Sequence, residues 1–165
     1  MIAGAYLGTV GLELLKSAAA DGFFGAATVA ALATLDRLET RDLDAFAADF
    51  RAPDRANPLD DVFADATDAA CARQLVQPVF ARAAVLSAVQ LAAFAVRSGG
   101  GRDAAHPVAI MADGSTWYKT RTVSFDAIVR RELDRLLVAD RAIHYEILPQ
   151  IEDAPMIGAA IAALS

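Results

Sequence analysis

The chain has 165 residues, 56% of them hydrophobic, a formal net charge of −6 and one cysteine. That length supports one domain with a real core, the acidity argues against nucleic acid, whose recognition relies on clustered Lys and Arg, and a lone Cys71 excludes a disulfide within the chain and a zinc site by spacing. The start lacks a basic leader, and no apolar run reaches about 18 residues without charge, so neither secretion nor membrane spanning is expected.

Gly4 to Ala20 reads as a helix, with Tyr6, Leu7, Val10, Leu14 and Leu15 at helical spacing and Gly22 as its stop. Phe23 and Phe24 are expected to anchor the next turn in the core. Thr28 to Leu35 reads as a short helix. Asp42 to Phe50 reads as another, capped by Thr40 or Asp42. A polar connection with Pro runs from Arg51 to Pro58. Asp60 to Arg97 reads as mostly helical, its inner face traced by Leu75, Val79, Arg82, Ala83, Leu86, Gln90 and Leu91. Pro78 is expected to kink or divide it, and Gly99-Gly100-Gly101 ends it. Asp60, Asp61, Asp65 and Asp68 read as a solvated acidic face. Cys71 reads as a small buried hydrophobe.

The pattern then changes. Val108 to Ala112 reads as a strand and Trp117 to Thr120 as a second short one. Ser124 is expected to cap a helix running to about residue 137, with Phe125, Ile128, Val129, Leu133 and Leu136 inward. Ile143 to Leu148 reads as a strand, and Asp153 to Leu164 as a last helix with Pro155 in its first turn. Strands joined by a crossover helix imply a right-handed parallel pair. The fold class expected is α/β, helical over 1–101 and β/α over 102–165.

The Val108 strand runs directly into Asp113-Gly114-Ser115-Thr116-Trp117-Tyr118-Lys119. Gly114 permits φ > 0 or close approach to the backbone. Successive amides with the Ser115 and Thr116 hydroxyls would make a concave donor set suited to phosphate oxygens. Asp-Gly is equally an ordinary hairpin turn. His106 and His144 lie far apart in sequence, with no Cys or carboxylate at ligand spacing, so no metal site is expected. No Ser-His-Asp or Cys-His arrangement emerges from spacing, so no catalytic residue is assigned.

Five segments in order carry a resemblance: Met1 to Gly8, Leu38 to Asp42, Arg82-Ala83-Ala84, the Asp113 loop, and Ile157 to Leu164. Together they resemble the C-terminal part of the ATP-dependent hexokinase family, bacterial type, in the actin-like ATPase superfamily. The resemblance implies a ribonuclease-H-like half-domain, with an incomplete sheet and a large helical insertion, forming the nucleotide-side lobe of a longer cytoplasmic enzyme. It implies Mg-ATP as cofactor, the cation being held mainly by substrate and the other lobe. It implies nucleotide contact at Gly4, Ala5, Thr40, Arg41, Asp42, Asp44, Asp113, Gly114, Ser115, Thr116 and Lys119. Thr116 is one residue more than the family loop usually has. Two stretches depart from the family: Ala88-Val89-Gln90 replaces a small-small-Gly run near the adenosine, and Ala154-Pro155-Met156 replaces Gly-Ser-Gly.

The partners implied are the N-terminal part of the same polypeptide and a glucose-like hexose, with neither nucleic acid nor membrane. The base and the γ-phosphate clamp belong to the other lobe, so the chain alone is expected to be inactive. The unpaired Val108 strand edge predicts self-association. The alternatives are a non-catalytic regulatory or assembly module of the same fold, and another actin-like sugar or acid kinase.

Overall fold

The computed structural model describes residues 4–53 and 55–149, with Met156 and Ala163. Of the expected helix from Asp153 to Leu164, Met156 and Ala163 are described and both are helical; the rest of it lies outside the described residues. The elements in order are α1 (Gly4–Ala20), α2 (Ala26–Ala33), α3 (Thr40–Ala47), α4 (Pro58–Val62), α5 (Ala66–Ser98), β1 (Val108–Met111), α6 (Ser115–Lys119), α7 (Phe125–Leu133), which continues as a π-helical turn (Asp134–Ala139), and β2 (Tyr145–Leu148). This is a helix-rich α/β arrangement. Its sheet, among the described residues, is the parallel pair β1–β2, with Val108 opposite Tyr145 and Ile110 opposite Ile147.

α1 buries Leu7, Gly8, Gly11, Leu12, Leu15 and Ala18, a stripe at the three- and four-residue spacing of one helix face. It ends because Gly22 takes φ +81, which lets the Phe23 amide return to the Ala18 carbonyl at 3.0 Å. Phe24 alone of the expected pair enters the core, edge-on to Phe63 at 5.2 Å, whereas Phe23 is 57% exposed. The chain reverses at Gly22 and can point only one of the two rings inward.

α5 is the spine. Asp65 caps it, accepting from the Thr67 and Asp68 amides at 2.8 and 3.0 Å, and Gly99 closes it at φ +73. Its buried face runs through Ala69, Ala72, Val76, Phe80, Ala83, Ala84, Ala88, Ala92 and Ala95. The expected Leu75–Leu91 face is rotated from this: Leu75, Val79 and Leu91 lie on its flanks, and Arg82 and Gln90 are exposed. Alanine lets α1, α3 and α7 approach the helix closely, and the leucines fill the shoulders. Pro78 sits inside the helix without dividing it. By length and composition alone α5 is long and apolar enough to cross a bilayer, although Arg82 interrupts its apolar sequence.

α7 packs on α5 through Phe125, Val129 and Leu133, and Leu137 of the π-helical turn is fully buried. Leu15, Phe80, Val129 and Leu137 belong to one core, so the helical part and the β/α part are not separately cored. Ser124 stands at the start of α7 but makes no side-chain cap bond, and the helical segment runs on past the π-helical turn to Arg141. Gly101, at φ +73, seats the sheet: its carbonyl accepts from the His144 amide at 2.8 Å, and the Val108 amide donates to the His144 carbonyl at 2.9 Å.

Trp117 to Thr120 is not a strand. Ser115–Lys119 coils into α6. Trp117 packs edge-on against Phe125 at 6.3 Å, and the Tyr118 hydroxyl donates to the Ala112 carbonyl at 2.8 Å. These contacts turn the segment back onto the end of β1, overriding the strand preference of Trp and Tyr.

Tyr145, opening β2, donates to Asp134 Oδ1 at 2.8 Å. Desolvation first, then this bond and the Asp134 charge, push its pKa from 10.0 up to about 12. The folded state therefore holds the phenol proton more tightly than the unfolded chain. That stabilisation is complete below pH 10 and is lost as pH rises towards 12. In alkaline titrations followed by circular dichroism, Tyr145→Phe should flatten the loss of stability across this window. An unchanged alkaline limb would show that another group controls it.

Candidate functional site

α1 and α3 approach so closely that glycine is required between them. A Cβ on Gly8 would strike the Leu38 carbonyl, and one on Gly11 would strike the Leu43 side chain. At this crossing the Thr40 hydroxyl accepts from the Gly8 amide at 2.9 Å and donates to the Gly4 carbonyl. The hydroxyl thus inserts into the first turn of α1, where amide and carbonyl four residues apart would otherwise face each other. Glu39, not Thr40 or Asp42, occupies the N-cap position of α3, and it makes no side-chain cap bond. Thr40 joins two helices instead of capping one.

The loop after β1 comes to the same place. A Cβ on Gly4 would collide with the Thr116 hydroxyl. Gly114 takes φ +112, ψ 152, a conformation that favours glycine, and the space where its side chain would be is open. Its amide donates to Asp113 Oδ1 at 2.7 Å. The amides of Ser115 and Thr116 open α6 and have no carbonyl one turn back within that helix.

Gly4, Thr40, Arg41, Asp42, Asp44, Ser115, Thr116 and Lys119 all line one open cleft of about 1140 Å³. Ala5, Asp113 and Gly114 line an adjoining groove of about 530 Å³, to which Gly4, Ser115 and Thr116 also contribute. Gln90, Phe94 and Trp117 form part of the groove wall. Every residue expected to contact the nucleotide therefore borders one of two neighbouring depressions.

Their local roles differ. Asp42, 6% exposed, pairs with Arg55 at 2.9 Å, and its carbonyl accepts from Asn57 Nδ2 at 2.8 Å. Burial pushes the Asp42 carboxyl up, and the Arg55 charge opposes that. Asp44 accepts from the Arg121 amide at 2.9 and 3.1 Å, from the Thr122 amide at 3.0 Å and from the Thr122 hydroxyl at 2.6 Å. Its oxygens join α3 to the segment after α6. Arg41 turns to Glu39 at 2.7 Å. Arg51, Arg55 and Arg121 also line the cleft. Sequence reasoning missed them, because Arg51 and Arg55 sit in a segment read as a polar connection and Arg121 carries no spacing signal.

Among the described residues no three His, Cys, Asp or Glu gather to hold a metal ion. His106 does have a carboxylate neighbour, Asp103, at 2.9 Å from Nδ1, which the sequence spacing does not pair with it. The Ala105 amide, then His106, holds Asp103 below the usual carboxylate range.

Comparison with protein-family models matches the whole chain, residues 1–165, to the family described as hexokinase. The chain belongs to the hexokinase family. No curated protein and no solved structure matches it. Membership makes this a sugar-kinase family domain, from a family that phosphorylates sugars and generally uses ATP and Mg²⁺. In this hexokinase-family chain the donors fit the phosphates better than the cation. Hydroxyls, amides and Lys119 border the cleft, whereas Asp42 and Asp44 are engaged by Arg55, Arg121 and Thr122.

Proposed function

We propose that this chain is the nucleotide-side lobe of a cytoplasmic, glycolytic hexokinase that transfers a phosphoryl group from Mg-ATP to a glucose-like hexose. The observation that carries this reading is the convergence of Gly4, Thr40 and Ser115-Thr116 on one cleft. These residues come from three segments far apart in sequence, held together by the Thr40 bridge and by the fit of Thr116 against Gly4.

In this reading Ser115 and Thr116 donate to phosphate oxygens, Lys119 supplies positive charge, and Gly4 and Gly114 let the ligand approach the backbone. Thr40 holds the two walls of the cleft in register. Mg²⁺, when bound through the phosphates and the second lobe, neutralises charge that builds on the transferring group. The hexose and the base that takes its hydroxyl proton belong to that second lobe, and closure of the two lobes excludes water. The chain alone is inactive, and the outer edges of β1 and β2 favour pairing with strands of the second lobe or with another copy.

A second reading, a non-catalytic module of the same fold, draws support from Gln90 in the groove wall and from the engaged oxygens of Asp44. Glucose- and mannose-dependent ADP release from Mg-ATP separates the two. The polypeptide extended upstream should turn over and the 165-residue chain should not. If the folded, extended protein is also silent, the non-catalytic reading wins.

A further inference from the structure

In a chain with a net charge of −6, the cleft gathers five cations: Arg41, Arg51, Arg55, Lys119 and Arg121. Two of them are matched, Arg41 by Glu39 and Arg55 by Asp42. Arg51, Lys119 and Arg121 enter no ion pair among the described residues. The remaining carboxylates on the lining are Asp44, which accepts from the Arg121 amide and from Thr122, and Asp60.

Arg121 is positioned at both ends. The Asp44 carboxylate fixes its backbone amide at 2.9 and 3.1 Å. Its guanidinium carbon lies 4.0 Å from the centroid of the Phe50 ring. Stacking on a ring holds the guanidinium plane and leaves its N–H edge available for an anion. A guanidinium fixed in this way on the rim of a cleft, with no carboxylate partner among the described residues, has the form of an anion-binding group awaiting its ligand. Arg51 follows Phe50 directly in the chain and lines the same cleft.

We infer that Arg121, assisted by Arg51, binds a linear chain of two or more linked phosphates in this cleft. The inference rests on the nucleotide-side reading above and adds the groups that recognise phosphate-chain length. Either a nucleoside triphosphate or inorganic polyphosphate presents that chemistry. In this inference Ser115 takes one phosphate and the arginines take those linked to it, so the pair discriminates against monophosphates.

The test uses the 165-residue chain with Mg²⁺ and titrates ATP, AMP and tripolyphosphate by calorimetry. Trp117, the only tryptophan and part of the adjoining groove wall, gives a fluorescence check. Arg121→Gln should weaken ATP by about tenfold and Arg51→Gln by about threefold, while AMP stays as in the parent chain. Arg97→Gln, the same charge change at the end of α5 and outside both depressions, should have no effect. Equal losses for tripolyphosphate would assign the arginines to phosphate chains in general; losses for ATP alone would assign them to nucleotides. Arg51→Gln guards against misfolding of the Arg121 variant, because Arg51 makes no ion pair among the described residues. If the parent chain binds ATP and both variants bind it equally well, the inference is overturned and the nucleotide site stands. If the folded parent chain binds neither ATP nor tripolyphosphate, the site reading itself fails.

Discussion

Asp44→Ala is expected to lower stability by about 3 kcal/mol, because a buried carboxylate with three donors is lost and the donors are left behind. The Arg121 and Thr122 amides and the Thr122 hydroxyl all point at it. Hydrogen bonds to a charged acceptor contribute about 1.5–3 kcal/mol each, but they are not additive, and water recovers part of the loss because Arg121 is exposed and Thr122 half-buried. For a chain of this size the melting temperature should fall by about 6–12 °C. The same change at exposed Asp60 should stay within about 0.5 kcal/mol. A thermal melt of Asp44→Ala that overlays the parent chain would remove Asp44 as the link between α3 and the segment after α6. The variant should also bind ATP more weakly, since that link positions Arg121.

Gly8→Ala carries the second large effect, and two terms oppose each other there. In an open helix the change should stabilise by about 1 kcal/mol through backbone entropy. Here the new Cβ would meet the Leu38 carbonyl, and would lie 2.6 Å from the Glu39 carbonyl carbon and 2.7 Å from the Thr40 amide nitrogen. Backbone cannot swing aside as a side chain can, so α1 and α3 must separate. Overpacking of this kind costs about 1–3 kcal/mol or more and outweighs the propensity gain. Separation also pulls Thr40 away from Gly4 and Gly8 and opens the cleft wall. Melting and ATP titration of Gly8→Ala should therefore fall together. Gly22→Ala is the control: nothing crowds that position, and its φ of +81 alone should cost about 1–2 kcal/mol without touching ATP binding. A Gly8→Ala variant more stable than the parent would mean that the two helices do not approach as closely as described.

Much of the fold is legible along the chain because its signals are local. The end of α1 follows from one glycine, β1 is a short apolar run, and β2, with Tyr145, Ile147 and Leu148, follows an amphipathic helix. α6 is hidden because Trp117 and Tyr118 prefer strands, and only Phe125 and the Ala112 carbonyl, reached through the tertiary fold, coil them into a helical turn. The face of α5 is misjudged for a different reason. Hydrophobicity favours leucine, but close helix packing selects the smaller alanine stripe. The site shows the same division. The Gly114 loop announces itself, whereas Asp44 meets Thr122 across 78 residues of sequence and no local pattern marks the pair. Thr40 carries a capping residue type at a helix start, yet its hydroxyl serves the neighbouring helix.

Amide hydrogen exchange of the 165-residue chain with and without Mg-ATP shows whether nucleotide occupies the cleft between α3 and the loop after β1. Exchange should slow in two separate stretches, 40–51 and 113–122, with α2 and the C-terminal turn of α7 unchanged. Protection confined to other parts of the molecule, or none at saturating nucleotide on a folded chain, would contradict it.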